Sequence, residues 1–215
     1  MEPFGLQNPH PLFFIKDAVI KELYSIGDGK HLKMIIEKNG CLATALYFGM
    51  PADRFAFNEG DTVDFMCNMD LNDFRGTLSV QVVVKDVRMS EKDNLEKLHN
   101  EEIFRSIHSG NFNVPKDEIP VMSEFRAAFL YLKSILRGSG AEKQLSVWKC
   151  SRDLSRQYKV NCSHLKFNII LTVFEEMNLI SLLRNDNDTV YVSLNATEGK
   201  VNIEDSEFLS KLIKI

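Results

Sequence analysis

The chain has 215 residues, with 26 Lys and Arg against 30 Asp and Glu, a net charge of −4 and a pI near 5.8. That balance argues against bulk electrostatic capture of duplex DNA, which needs a basic face able to release many counterions, but leaves open single strands held partly by base stacking. The length suits two compact domains of about 100 residues each; with no leader pattern and no apolar run near the roughly 18 residues of a membrane span, a soluble cytoplasmic protein with no membrane partner is expected.

Residues 1–11 carry Pro3, Pro9, Pro11 and Gly5, so they read as an extended opening segment in which Phe4 and Leu6 give something to bury. A packed strand is expected over residues 12–15, and a first barrel strand over 18–25. Gly27, Asp28 and Gly29 turn it into a second strand at 30–37, and Asn39-Gly40 is a hairpin signal into a third at 41–48. In the second strand Leu32, Met34 and Ile36 share one face by the period of two, leaving His31 and Lys33 on the other. Residues 51–57 read as a short helical turn plugging the barrel, and alternating runs at 63–71 and 78–86 supply two more strands. Strand, strand, strand, plug, strand, strand is the order of a five-stranded OB barrel. Phe48, Phe55, Phe57 and Phe65 are assigned to its core.

From Ser90 to His108 the period becomes helical, with Leu95, Leu98, Phe104 and Ile107 on one stripe and Ser90 at the start. Pro115 and Pro120 break the pattern. The expected division is an OB domain at 1–89, a helix and linker at 90–120, and a second domain at 121–215. That second domain opens with a helix at 123–137, faced by Phe125, Phe129, Leu132 and Leu136, and a glycine break at 138–140. A strand at 144–148 follows, then helices at 151–158 and 164–177, the latter capped by Ser163. Strands at 179–183 and 189–194 and a final helix at 206–214 complete it. Helix, strand, helix, helix, strand, strand is the winged-helix order, so the fold class is α+β.

For catalysis the pattern is thin: no paired His and Asp cluster, no nucleophile elbow and no phosphate-binding glycine loop occur. Cys41, Cys67, Cys150 and Cys162 lack CxxC spacing, and buried reduced thiols suit Cys150 and Cys162 better than metal ligation with His164. Asp70, Asn72 and Asp73 lack the glycine and distal glutamate of a calcium loop.

Binding is better supported. OB barrels hold strands across their second and third strands and between the loops after strands one and four. Here those places offer Lys30, His31 and Lys33, and the tip residues Asn72, Phe74 and Arg75. An aromatic plane beside a guanidinium suits sequence-neutral stacking and phosphate contact. Phe74 reads equally well as a ring folded onto its own barrel, and Tyr24 and Tyr47 as stacking faces or barrel-wall aromatics. In the second domain the recognition-helix position carries only Lys166 as a cation and the wing tip carries Asp186 and Asp188, which disfavours a duplex reader. Lys149, Arg152, Arg156 and Lys159 form a basic stripe that touches phosphates or is simply solvated. A protein-contact or packing role is favoured for this domain on charge grounds.

Residues 2–11, then His31, Leu32 and Lys33, Phe48-Gly49, the run from Leu71 to Gly76, Gln81 and Lys85-Asp86 resemble the region after the catalytic core in RecJ, the single-strand-specific exonuclease family. The family pattern usually has glycine at the Gln7 position and often tryptophan at the Phe74 position. The resemblance is specific through about Arg88; residues 90–215 resemble, more weakly, an extra C-terminal region of some bacterial members. It implies 5′-to-3′ degradation of single-stranded DNA in recombination and repair, with Mg or Mn held by Asp-His-His motifs. No Asp-His-His run exists here, so the resemblance implies a C-terminal region, inactive alone and without a cofactor of its own. Its implied partners are single-stranded DNA, its own catalytic domains and the single-strand-binding protein. The implied single-strand contacts fall on Lys30, His31, Lys33, Asn72, Phe74 and Arg75. An interaction scaffold that packs on the nuclease core and recruits a repair partner is the alternative reading.

Overall fold

A computed structural model describes residues 10–74, 76–136, 142–196, 199 and 201–214, with backbone alone at 73, 74 and 77. The opening segment before His10 and the glycine break at 138–140 lie outside the described residues. The chain forms two compact units, Met1–Leu95 and Glu96–Ile215.

The first unit is a closed five-stranded barrel, the OB-type architecture expected, with strand order β1-β2-β3-β5-β4. Its strands are β1 (Phe13–Ile26), β2 (His31–Lys38), β3 (Cys41–Tyr47), β4 (Thr62–Phe74) and β5 (Thr77–Met89). The two strands expected at 12–15 and 18–25 are one long strand that serves both sides of the closure. The first half of β1 pairs with β4 and the second half with β2, and the register shifts between Ile15 and Ala18. Asp17 makes this bend: it adopts φ 50°, which short polar side chains tolerate, and its N–H donates to Asp64 Oδ1 at 2.9 Å. Asn39 and Gly40, at φ 52° and 79°, form the tight turn that sets Lys38 opposite Cys41 and fixes every later β2–β3 pair.

Residues 51–57 hold no regular helix but two overlapping hydrogen-bonded turns, Pro51 O to Arg54 N at 3.1 Å and Ala52 O to Phe55 N at 3.4 Å, which deliver Phe55 into the barrel as the expected plug. Phe55 meets Tyr47 and Phe57 edge-on, while Phe65, Met34, Ile20 and Leu32 fill the centre. Phe48 departs from its core assignment: it is 54% exposed.

The second unit takes in most of α1 (Glu91–His108), then α2 (Met122–Ile135), β6 (Lys143–Ser146), α3 (Val147–Tyr158), α4 (His164–Glu176), β7 (Ile180–Arg184), β8 (Thr189–Leu194) and α5 (Glu207–Ile213). Its sheet order is β6-β8-β7. Ser90 Oγ accepts the Asp93 N–H at 3.2 Å and starts α1 as expected. The expected α1 stripe is half right. Phe104 and Ile107 are buried in the second unit's core, whereas Leu95 and Leu98 are 60% and 51% exposed. The buried stripe runs instead through Asn100.

The strand expected to reach Trp148 stops at Ser146, because the next residues open a helix whose orphan donors are met at once. Ser146 Oγ accepts the Lys149 N–H, Asp188 Oδ1 accepts the Trp148 N–H at 2.7 Å, and Asp188 O accepts the Val147 N–H at 2.7 Å. Ser163 caps α4 as expected, through the Lys166 N–H at 3.0 Å. α4 is buried on nearly every side, as the central helix of its unit. Among the described residues no helix is long and apolar enough to cross a membrane.

Candidate nucleic-acid interface

Alternation sorts the barrel's outer residues. With Leu32, Met34 and Ile36 buried, His31, Lys33 and Ile35 face out of β2. Tyr24 pairs with Lys33 across β1–β2, Lys33 with Leu46 across β2–β3, and Leu46 with Val83 across the parallel β3–β5 seam. One row of outward side chains therefore crosses four strands. The two tyrosines left open separate here: Tyr24 is 47% exposed on this row, while Tyr47 packs toward the core, where burial pushes its phenol up. Tyr24 Oη donates to Glu22, and that bond to a carboxylate raises the phenol's pKa.

The neighbouring row begins with His31. Its ring meets Phe48 edge-to-face at 5.4 Å and 73°, and Nδ1 accepts the Gly49 N–H at 2.9 Å. That bond uses the Nδ1 lone pair, so the neutral ring carries its proton on Nε2. Gly27 lies against the same ring at φ 59°, and a Cβ there would stand 2.8 Å from His31 Cδ2, so any other residue would be strained and would displace the ring. Lys85 is the extra residue where Cys67 pairs with Val84 but Met66 with Asp86, and this bulge leaves it exposed. Tyr47 Oη reaches Lys85 O at 3.5 Å, which puts Lys85 at the same end of β3 as Phe48.

Charge commitments distinguish these cations from others on the barrel. Lys16, Lys21, Lys38 and Arg88 are paired with Glu91, Glu37, Asp17 and Asp64. Lys21 holds the Glu37 carboxyl below the usual carboxylate range. Among the described residues no ion pair or side-chain hydrogen bond engages Lys30, Lys33 or Lys85.

Of the six residues singled out from sequence, Lys30, His31 and Lys33 fall at one end of β2, Lys30 exposed in the turn before it. Asn72 is exposed farther out on the β4–β5 ribbon, opposite Ser79, with no described contact to those three. The Phe74 backbone ends β4, but its side chain and all of Arg75 lie outside the described residues. Phe48 and Lys85 were missed as site residues. Phe48 was legible: the Asn39-Gly40 turn sets Leu32 opposite Tyr47, so the next rung sets Phe48 opposite His31 on the outward side.

Among the described residues, α4 of the second unit offers no comparable surface. Lys166 is only 6% exposed and donates to Glu124 Oε1 at 2.7 Å and to Asn161 O at 3.0 Å. Arg184 donates to Asn168 Oδ1 and Thr172 Oγ1 and lies 4.7 Å over the Phe104 ring. Burial pulls its guanidinium down to about 10, still charged at neutral pH. In the basic stripe, Arg156 pairs with Asp153 and Arg152 lies over the Trp148 ring. Asp186 Oδ1 accepts the Asp188 and Thr189 N–H groups, so Asp186 builds the turn between β7 and β8 itself. Burial pushes the Cys150 thiol up to about 12 and the Cys162 thiol higher, leaving both protonated and unreactive. Among the described residues no group of three or more His, Cys, Asp or Glu side chains is arranged to hold a metal ion.

The family model for the RecJ OB domain matches residues 1–86. Over those residues the chain is therefore similar to the RecJ OB domain. Over 92 residues the chain is 26% identical to the single-stranded-DNA-specific exonuclease RecJ of Bacillus subtilis (strain 168), covering 42% of this chain and 12% of that protein. A crystal structure of Thermus thermophilus RecJ with Mg²⁺ is 28% identical, with TM-score 0.33, over 42% of this chain and 13% of that one. The second single-stranded DNA binding protein of Mycobacterium smegmatis is 19% identical, with TM-score 0.33, over 38% of this chain and 87% of that one. The chain thus spans 12–13% of the length of these RecJ proteins, and the region similar to the RecJ OB domain carries the whole candidate face.

Proposed function

We propose that the RecJ OB domain of this chain binds single-stranded DNA and presents it to a RecJ-like 5′-to-3′ exonuclease core in recombination and repair. The metal-dependent chemistry lies outside this chain, with Mg²⁺ or Mn²⁺ bound there. The observation that carries this reading is the set of uncommitted cations, Lys30, Lys33 and Lys85, beside exposed rings on a RecJ OB domain whose other lysines are paired. In an acidic chain, free cations next to stacking faces favour a flexible strand over a duplex. Lys30 and Lys33 hold phosphates, His31 lines the path, and Asn72, Phe74 and Arg75 of the ribbon tip extend it.

For the second unit we propose a winged-helix arrangement used for protein contact, with the nuclease core or the single-strand-binding protein as partner. The enclosed α4, with Lys166 buried against Glu124, supports contact with protein over reading a groove.

A fluorescence-anisotropy titration of the full chain with a short single strand and a matched duplex, across salt concentrations, tests the first reading. Tighter binding of the single strand, with an affinity that falls linearly on logarithmic axes as salt rises, is expected. Equal affinity for the duplex, or no binding at low salt, overturns it.

A further inference from the structure

We infer that the corner made by Phe48 and His31 at the end of β3 is the base-stacking subsite of this face, with Lys33 and Lys85 holding the phosphates on either side. The inference rests on the single-strand reading above and names the residues that grip a base. An edge-to-face contact with His31 occupies at most one face of the Phe48 ring, which is 54% exposed. The ring therefore offers a flat surface of the kind on which any base can stack.

His31 stands in one orientation before a ligand arrives. The Gly49 N–H fixes Nδ1, Gly27 closes the space behind Cδ2, and no described group takes the Nε2 proton. A ring held this way loses little freedom on binding, and its Nε2–H is available to a phosphate or a base acceptor. Lys33 lies two residues along β2 on the same outward side, beside Tyr24, and the β5 bulge turns Lys85 outward at the same end of β3. Among the described side chains, the exposed apolar residues of the ribbon beyond the barrel are Met69, Leu71, Leu78 and Val80, none of which has a ring.

The test uses the full chain with two fluorescent 12-nucleotide probes, oligothymidylate and an abasic oligomer carrying the same phosphates. Phe48→Ala is expected to weaken oligothymidylate binding by roughly tenfold, the scale of one lost stack, and to leave abasic binding unchanged. Phe48→Tyr retains the aromatic face and is expected to bind as the parent does. Gly27→Ala, which displaces the His31 ring, is expected to lose a smaller factor on both probes. Unchanged oligothymidylate affinity in Phe48→Ala, with the parent binding normally, overturns the subsite and leaves the single-strand reading standing. Failure of the parent chain to bind either probe overturns both.

Discussion

The two units differ in which of their cations are left uncommitted. On the barrel, Lys30, Lys33 and Lys85 stand uncommitted beside exposed Tyr24 and Phe48. In the second unit, three cations are spent on the fold: Lys166 on Glu124, Arg184 on Asn168 and Thr172, Lys97 on Asp188. Net charge hides this difference, because a paired lysine and a free one count alike. A free cation beside an exposed ring is a means of binding, whereas a buried pair is a part of the architecture.

The largest expected effect breaks the contrast from the architectural side. Lys166→Met leaves the Glu124 carboxylate buried with little beyond the Val121 N–H as partner. It should cost the second unit about 3–5 kcal/mol in urea unfolding and leave single-strand affinity untouched. A loss of affinity with unchanged stability would make Lys166 a binding residue after all.

Asp188 gives the next effect, and its sign follows from its surroundings. Burial alone would raise its carboxyl, but the His164 ring, the Trp148 N–H and Lys97 outweigh that and hold it at about 2. A folded-state value below the unfolded one of about 4 means stability fully present above roughly pH 5 and lost as pH falls toward 2, amounting to about 2 kcal/mol. Urea midpoints of the second unit between pH 6 and pH 2.5 should show this loss, and Asp188→Asn should flatten it. An Asp188→Asn curve parallel to the parent's would remove the carboxylate from the account.

The third effect sharpens the contrast from the binding side. Lys30→Gln with Lys33→Gln should reduce the slope of log affinity against log salt by about 0.7 for each phosphate no longer neutralised, with the fold unchanged. An unaltered slope would mean that neither lysine meets a phosphate.

How far all this was legible depended on the range of the contact involved. The period of two in β2, with the Asn39-Gly40 turn, was enough for the barrel and for the outward placing of His31 and Lys33, because strand alternation and hairpin register are local. Phe48 was misplaced by residue type: a phenylalanine was assumed to be core, although the same register set it outward opposite His31. The Lys166–Glu124 pair spans 42 positions, and no local pattern announces that α4 is enclosed.

The α1 stripe failed for a related reason, and it yields the smallest expected effect. Hydrophobicity alone selected Leu95 and Leu98, but the side of the helix that is buried is set by Phe104 and Ile107, and it runs through Asn100. A polar residue interrupts that face where apolar ones were sought, and the leucines fall on the solvent side. Leu95→Ser with Leu98→Ser should therefore shift the unfolding free energy from urea titration by no more than about 0.5 kcal/mol, the scale of substitutions away from packed features. A loss of several kcal/mol would mean that these leucines are covered in solution, and the contrast between a committed second unit and an open barrel would then have to be redrawn around α1.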